Sequence, residues 1–289
     1  MKFGTLYSYW GNEWSCDYPA VAKKLKMLGF DIIEIGAGHL LDMSDAQLKE
    51  LKAVTNDLGL LITSNIGPRK EFDVASSDTQ VRKRAIVYLC DIMKKMGEID
   101  SRSLVGVTYT YWPNDFSDLD KEAIWERGVK SVKQMGEFAD SVGIDICLEV
   151  VNRFETLVLN TAAEGVKFCE EVGKKRVKLL MDTFHMNIEE DNICDAFRTA
   201  APYLGHIHVG EANRKLPGMG SLPWRQIGAT LHEIGFDGNV VMEPFMLAGG
   251  AVAHDVKVWR DLSNGATTEE MDEMIRESLV FLRNSFAKE

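Results

Sequence analysis

Four short apolar runs in the second half of the chain each stop on a group that can bind a metal or move a proton. They are Ile144-Asp-Ile-Cys-Leu-Glu149, Val177-Lys-Leu-Leu-Met-Asp182, Leu204-Gly-His-Ile-His208 and Gly238-Asn-Val-Val-Met-Glu243. Rich in Val, Ile and Leu, they read as strands buried on both faces. Delivered by adjacent parallel strands, Glu149, Asp182, His208 and Glu243 converge on one point. Three carboxylates and one imidazole make a hard donor set, which favours Mn²⁺, Mg²⁺ or Co²⁺ over a thiolate-bound zinc. Such a set also leaves carboxylates free for proton transfer. Taken alone, a strand-end Asp or Glu is more often a helix cap or ion-pair partner, and a lone strand His a hydrogen-bonded core residue. Four consecutive strands ending this way are a stronger sign.

The residues that follow these runs are crowded with hydrogen-bonding groups: 150–155, 183–190 and 209–214. Each sugar hydroxyl both donates and accepts, so polyol recognition needs such loops. Arg153 and Arg214 also admit a plainer reading as structural ion-pair partners. Two aromatic clusters, Tyr7-Ser-Tyr-Trp10 and Tyr109-Thr-Tyr-Trp112, could stack on the C–H faces of a sugar or pack beneath the loops. Trp112 reads as a pocket wall and Tyr7 as a substrate contact, whereas Tyr9 and Tyr111 fit either role. The Gly249-Gly250 pair reads as a flexible loop element.

Positioning these groups requires a regular scaffold. Strand-like runs fall at 3–7, 31–35, 60–65, 103–107, 144–149, 177–182, 204–208 and 239–243. Amphipathic stretches alternate with them at 19–28, 45–58, 78–96, 121–142, 162–172, 193–200, 224–234 and 269–286. Ser44 and Thr161 stand at helix starts, with Glu164 completing a capping box after Thr161. Gly29, Gly59, Gly143, Gly173 and Gly235 stand just past helix ends. Eight such units across 289 residues, with no linker, point to one α/β domain over 1–289, a (β/α)₈ TIM barrel. The alternative, an open doubly wound sheet, lacks a G-x-G-x-x-G turn. In a barrel the site lies at the carboxyl ends of the strands, where the four residues stand.

Composition narrows the partners. A net charge of −11 disfavours nucleic acid, whose phosphates call for a Lys/Arg surface. The five cysteines are scattered without a C-x-x-C pair and read as reduced thiols. With no signal-peptide pattern and no membrane-length apolar run, a cytoplasmic enzyme is expected. No Gly-rich or Lys-rich phosphate cradle follows strands seven and eight, so free sugars are favoured over sugar phosphates.

Several of these motifs are long enough to carry a resemblance. Leu148-Glu-Val-Val-Asn-Arg-Phe-Glu155, Met181-Asp-Thr-Phe-His-Met-Asn-Ile-Glu-Glu190, His208-Val-Gly-Glu-Ala-Asn-Arg214 and Val241-Met-Glu-Pro-Phe245 resemble those of the ketose 3-epimerases. Ser8-Tyr-Trp10 and Val258-Trp-Arg-Asp-Leu-Ser-Asn-Gly-Ala266 extend the likeness over the whole chain. This is the D-tagatose and D-psicose (D-allulose) 3-epimerase group, within the xylose-isomerase-like barrels. The resemblance implies that Glu149, Asp182, His208 and Glu243 bind a divalent metal, usually Mn²⁺ or Co²⁺. It implies that Glu155, His185 and Arg214 hold the O1–O3 end of a ketose, with Trp112 near the sugar. It also implies a homodimer or homotetramer. Leu6 departs from the pattern, since many relatives carry an aromatic residue there, and that alters the wall around C4–C6.

The expected chemistry is inversion at C3 through a cis-enediolate, with Glu149 and Glu243 as base and acid on opposite faces. Aldose–ketose or hydroxypyruvate isomerisation on the same cradle is the main alternative. An apurinic-site endonuclease, needing several zinc ions and a basic groove, and a non-catalytic sugar-binding barrel fit less well.

Overall fold

A computed structural model describes residues 1–288. Eight parallel strands close on themselves in chain order, β1 pairing with both β2 and β8. They are β1 (Lys2–Leu6), β2 (Ile32–Gly36), β3 (Leu61–Asn65), β4 (Ser103–Gly106), β5 (Asp145–Val150), β6 (Val177–Asp182), β7 (Leu204–Val209) and β8 (Asn239–Met242). Helices pack outside: α1 (Tyr18–Leu28), α2 (Asp45–Leu58), α3 (Thr79–Glu98), α4 (Lys121–Val142) and α5 (Ala162–Val172) in the first half. The second half carries α6 (Thr183–Glu189), α7 (Ile193–Ala200), α8 (Trp224–Glu233), α9 (Gly250–Val256) and α10 (Thr268–Ser285). Each expected strand is present, with ends displaced by a residue or so. No helix among the described residues is long and apolar enough to cross a membrane.

Alternation along each strand divides the apolar residues into two cores. One set faces the helices and forms the main core, including Ile33, Ile35, Leu148, Leu179, Met181, Ile207 and Val240. The other faces the lumen, where Val105, Cys147 and Leu180 form a small cluster of their own. Cys147 is thus a buried thiol, and all five cysteines are free.

Local chemistry sets the ends of the helices. Ser44 and Gln47 form a reciprocal capping box at α2. At α5, Thr161 accepts from Glu164 N, but the Glu164 carboxylate accepts from Asn160 N at 2.8 Å instead of from Thr161. The expected box is therefore one-sided there. Gly29, Gly59, Gly143 and Gly173 take left-handed conformations at helix ends, as their positions require.

Two segments read as loops are helices. Asp182 ends β6 and caps α6 directly, its Oδ1 accepting from Phe184 N at 2.6 Å. Strand and helix meet with no intervening turn residue, so the polar stretch 183–190 gave no boundary to read. Gly249-Gly250 opens α9. Gly250 has φ +72°, and a Cβ there would lie 2.3 Å from the Asn12 carbonyl oxygen, so close packing and not looseness explains the glycine.

Gly106, the last residue of β4, is under a similar constraint beside the barrel mouth. Its φ is +115°, and an added Cβ would fall 2.3 Å from the Ile66 carbonyl oxygen. Gly106→Ala is expected to lower the unfolding free energy by roughly 1–3 kcal/mol, to be read from urea unfolding curves. An unchanged midpoint would contradict the argument.

Candidate metal centre and sugar pocket

At the carboxyl ends of β5 to β8, pleat and register bring four side chains together. Glu149 pairs with Leu180, two residues before Asp182; Asp182 pairs with His208; and His208 pairs with Val241, two residues before Glu243. Steps of two preserve the facing, so all four point to the lumen. Each offers one ligand atom, and those atoms lie within 4.8 Å of one another. His208 Nδ1 is at the centre, 3.7 Å from Glu149 Oε1, 4.0 Å from Asp182 Oδ2 and 3.4 Å from Glu243 Oε1.

This cluster suits a cation. All four side chains are buried, and both Asp182 Oδ2 and His208 Nδ1 lack a hydrogen-bond partner. Buried polar atoms without partners are costly, and a divalent ion would satisfy both at once. The four residues could hold one. Burial pushes the Glu149 carboxyl up to about 8, with the charges of Glu243 and Asp182 adding to the rise and His208 opposing it. Burial and the Glu243 charge also raise Asp182. Burial disfavours a charged His208, but Glu243 and Glu34 outweigh it and hold the imidazole well above its usual value.

Next to the cluster stand the other expected residues. His185, on α6, accepts at Nδ1 from Asn152 N at 3.2 Å and meets the Asn152 amide at 2.8 Å. Those contacts place its proton on Nε2, which lies 3.7 Å from Glu149 Oε1. Burial lowers His185, against the charges of Glu155 and Asp182. Burial opposes ionisation of Glu155, but His185, Arg214, Trp112 and Asn152 together hold its carboxyl below the usual range. Trp112 Nε1 donates to Glu155 Oε2 at 2.8 Å.

Arg214 takes φ +65° in the loop after β7 and lays its guanidinium on the Phe184 ring, 3.7 Å from the centroid. Its Nη2 donates to Glu155 at 3.3 Å, while Nε and Nη1 are buried without a hydrogen-bond partner. Glu211 builds this loop from inside, accepting from Gly218 N, Leu222 N and Trp224 Nε1. Arg153, in contrast, turns outward and pairs with Glu189 at 2.8 Å, which is the structural role.

All of this opens into a cavity of about 380 Å³. Glu149, Glu155, His185, Arg214 and Glu243 line its floor, and Leu6, Tyr7, Trp14, Ile66, Val107 and Trp112 its walls. Tyr7 is fixed by a hydrogen bond to Trp14 O at 2.8 Å. Tyr9 and Tyr111 are buried and bonded to protein atoms, Tyr9 to Met271 O and Tyr111 to Asn114 and Asp115, so both pack beneath loops. Trp14 was not singled out from the sequence, yet it packs edge-on against Trp112 and Phe245. Asp255 on α9 fixes it, accepting from Trp14 Nε1 and Arg69 Nη2. Glu34 and Asn152 were also missed; a charge inside the apolar Ile-Ile-Glu-Ile run of β2 was the available signal for Glu34.

A family model described as xylose isomerase-like TIM barrel matches residues 22–276. The chain is 46% identical over 284 residues to the D-psicose 3-epimerase of Agrobacterium fabrum, covering 98% of each. With the D-psicose 3-epimerase of Ruminiclostridium cellulolyticum it shares 47% identity over 284 residues, 98% of this chain and 97% of the relative. A D-psicose 3-epimerase from Clostridium cellulolyticum H10, solved with D-tagatose, superposes with a TM-score of 0.98 at 46% identity. Another, solved in the presence of D-fructose, gives 0.98 at 45%; both comparisons cover 100% of both chains.

The raised Glu149 carboxyl has a consequence for stability. Between the ordinary carboxylate value and about 8, the folded metal-free chain keeps a proton that the unfolded chain has lost. Stability therefore falls as pH rises through that window. Glu149→Gln abolishes the ionisation. With a chelator present, the variant should melt above the parent at about pH 8, the gap narrowing toward about pH 5. Thermal melts at the two pH values check this; a gap that does not vary with pH contradicts the assigned cause.

Proposed function

The chain belongs to the xylose isomerase-like TIM-barrel family and to its ketose 3-epimerases, and on that premise we propose a metal-dependent interconversion of free ketohexoses at C3. The pairs are D-fructose with D-psicose, and D-tagatose with D-sorbose. One observation carries the reading most directly. Two carboxylates, Glu149 and Glu243, come within 3.7 and 3.4 Å of the same imidazole nitrogen, so two proton-carrying groups border one point. Inversion of a carbon requires a proton to leave one face and return on the other, hence two groups.

Glu149, Asp182, His208 and Glu243 would hold the ion, and the hard donor set supports Mn²⁺, with Co²⁺ or Mg²⁺ as substitutes. When bound, a divalent ion supplies positive charge that polarises the C2 carbonyl and offsets charge developing on O2 and O3. Either glutamate removes the C3 proton to give a cis-enediolate, and the other returns one to the opposite face. The handedness of the incoming ketose selects which acts first.

Glu155, His185 and Arg214 would bind the O1–O3 end. His185 Nε2–H and the two unpartnered Arg214 nitrogens are donors, and ionised Glu155 is an acceptor, so both halves of a hydroxyl are served. Trp112 and Tyr7 would flank the sugar. Leu6, Ile66 and Val107 present an apolar wall to the far end, which is where Leu6 in place of an aromatic residue would act on substrate preference. A homodimer or homotetramer agrees with the exposure of Phe154 and Trp259, 73% and 70% accessible beside the mouth.

The decisive assay incubates metal-stripped protein with D-fructose, with and without Mn²⁺. D-Psicose formed only with the ion supports the proposal; an aldose product would move the reaction to isomerisation between C1 and C2. Glu243→Gln is expected to reduce kcat at least about 10²–10⁴-fold, with metal content measured alongside. Epimerisation near the parent rate in a metal-loaded variant overturns the two-base scheme.

A further inference from the structure

Glu34 lies within β2 between two isoleucines and is wholly buried. A carboxylate in that position is expensive unless other groups satisfy it. Its Oε1 lies 2.8 Å from His208 Nε2 and accepts from Asn65 Nδ2 at 3.3 Å. Its Oε2 accepts from Thr63 Oγ1 at 2.7 Å and faces His206 Nε2 at 3.1 Å. Glu34 itself is not among the four clustered ligands, and its side chain meets His208 on the ring edge opposite them. The two nitrogens of one imidazole therefore have separate tasks. Nε2 is occupied by Glu34, while Nδ1 faces Glu149, Asp182 and Glu243 and has no partner.

We propose that Glu34 is a positioning residue that fixes the tautomer and ring orientation of His208, presenting the Nδ1 lone pair to the divalent ion. The inference rests on the four-residue cluster being the metal site. An acceptor at 2.8 Å requires hydrogen on Nε2, so the neutral ring that a metal ion would select has its lone pair on Nδ1. The negative charge behind the ring also makes Nδ1 a stronger donor, as carboxylates behind ligating histidines generally do. Thr63 and Asn65 hold Glu34 in turn, so the support runs from β3 through β2 to β7. The neighbouring group Glu34–His206–His208 could in principle take an ion of its own. His208 Nε2 is then shared between two demands, and its short contact with Glu34 favours the hydrogen bond.

Mn²⁺ titration of the full-length metal-free protein tests this, reading the dissociation constant and the number of ions bound per chain. Glu34→Gln keeps shape and removes charge; it is expected to weaken Mn²⁺ about 10–100-fold, with one ion per parent chain. Thr63→Val, which leaves Glu34 in place but loosens it, should weaken binding by a smaller factor. It decides the matter if Glu34→Gln does not fold by circular dichroism. Affinities within roughly twofold of the parent, even with a lowered melting point, would make Glu34 a structural residue only and overturn the proposal. Two ions per parent chain would overturn it too, by making Glu34 a ligand. A parent that binds no Mn²⁺ removes the metal-site reading itself, a failure distinguishable from the others.

Discussion

Side chains of a closed parallel sheet must alternate between lumen and helix layer, and the meeting of Glu149, Asp182, His208 and Glu243 depends on that alternation. A carboxylate moved by one residue along β5 or β6 would enter the apolar layer beneath α5 instead of the barrel mouth. Cys147 and Glu149, Leu180 and Asp182, His206 and His208, and Val241 and Glu243 share their strand's inward facing in steps of two. The lower member of each pair fills the lumen, and the upper member reaches the mouth. The plug formed by Val105, Cys147 and Leu180 is thus the floor on which the charged residues rest.

Charge crowding is the cost of this arrangement. Three carboxylates crowd around the His208 imidazole in one buried cluster, and Arg214 Nη1 approaches two of them only to 3.5 and 4.0 Å. The pocket is organised for a charge that its own side chains do not fully supply. Phe184 and Phe245 take up the flat faces of the Arg214 guanidinium, so that its remaining donors point along the pocket. Where the aromatic shell meets the polar floor, Trp112 joins both, packing on Trp14 while donating to Glu155.

Strand ends were the most legible part of the sequence, because a polar residue closing a Val/Ile/Leu run is visible without knowing its neighbours. All four clustered residues lie within one residue of a strand terminus. Less visible were features that depend on contacts between distant segments. Nothing near Trp14 in the chain announces that it will meet Trp112 and Phe245, or that Asp255 will hold it. Glu34 sits 174 positions from His208, and only folding reveals that its carboxylate has a partner. Helix α6 escaped notice for the opposite reason: its cap is the last residue of a strand, so the usual turn residues are missing. Arg153 and Arg214, alike in sequence context, separate only in three dimensions, one toward solvent and Glu189, the other inward over Phe184.

Asp182 has a double duty whose consequence concerns cooperativity. One oxygen caps α6 through Phe184 N and the other points at the cluster, so a single rigid carboxylate joins the cluster to the helix that carries His185. Any tilt of the carboxylate that improves one contact is felt at the other. The four-residue cluster and the helix bearing His185 are in this way geared together through the two C–O bonds of one short side chain. A longer acid at this position would preserve the charge and lose the gearing.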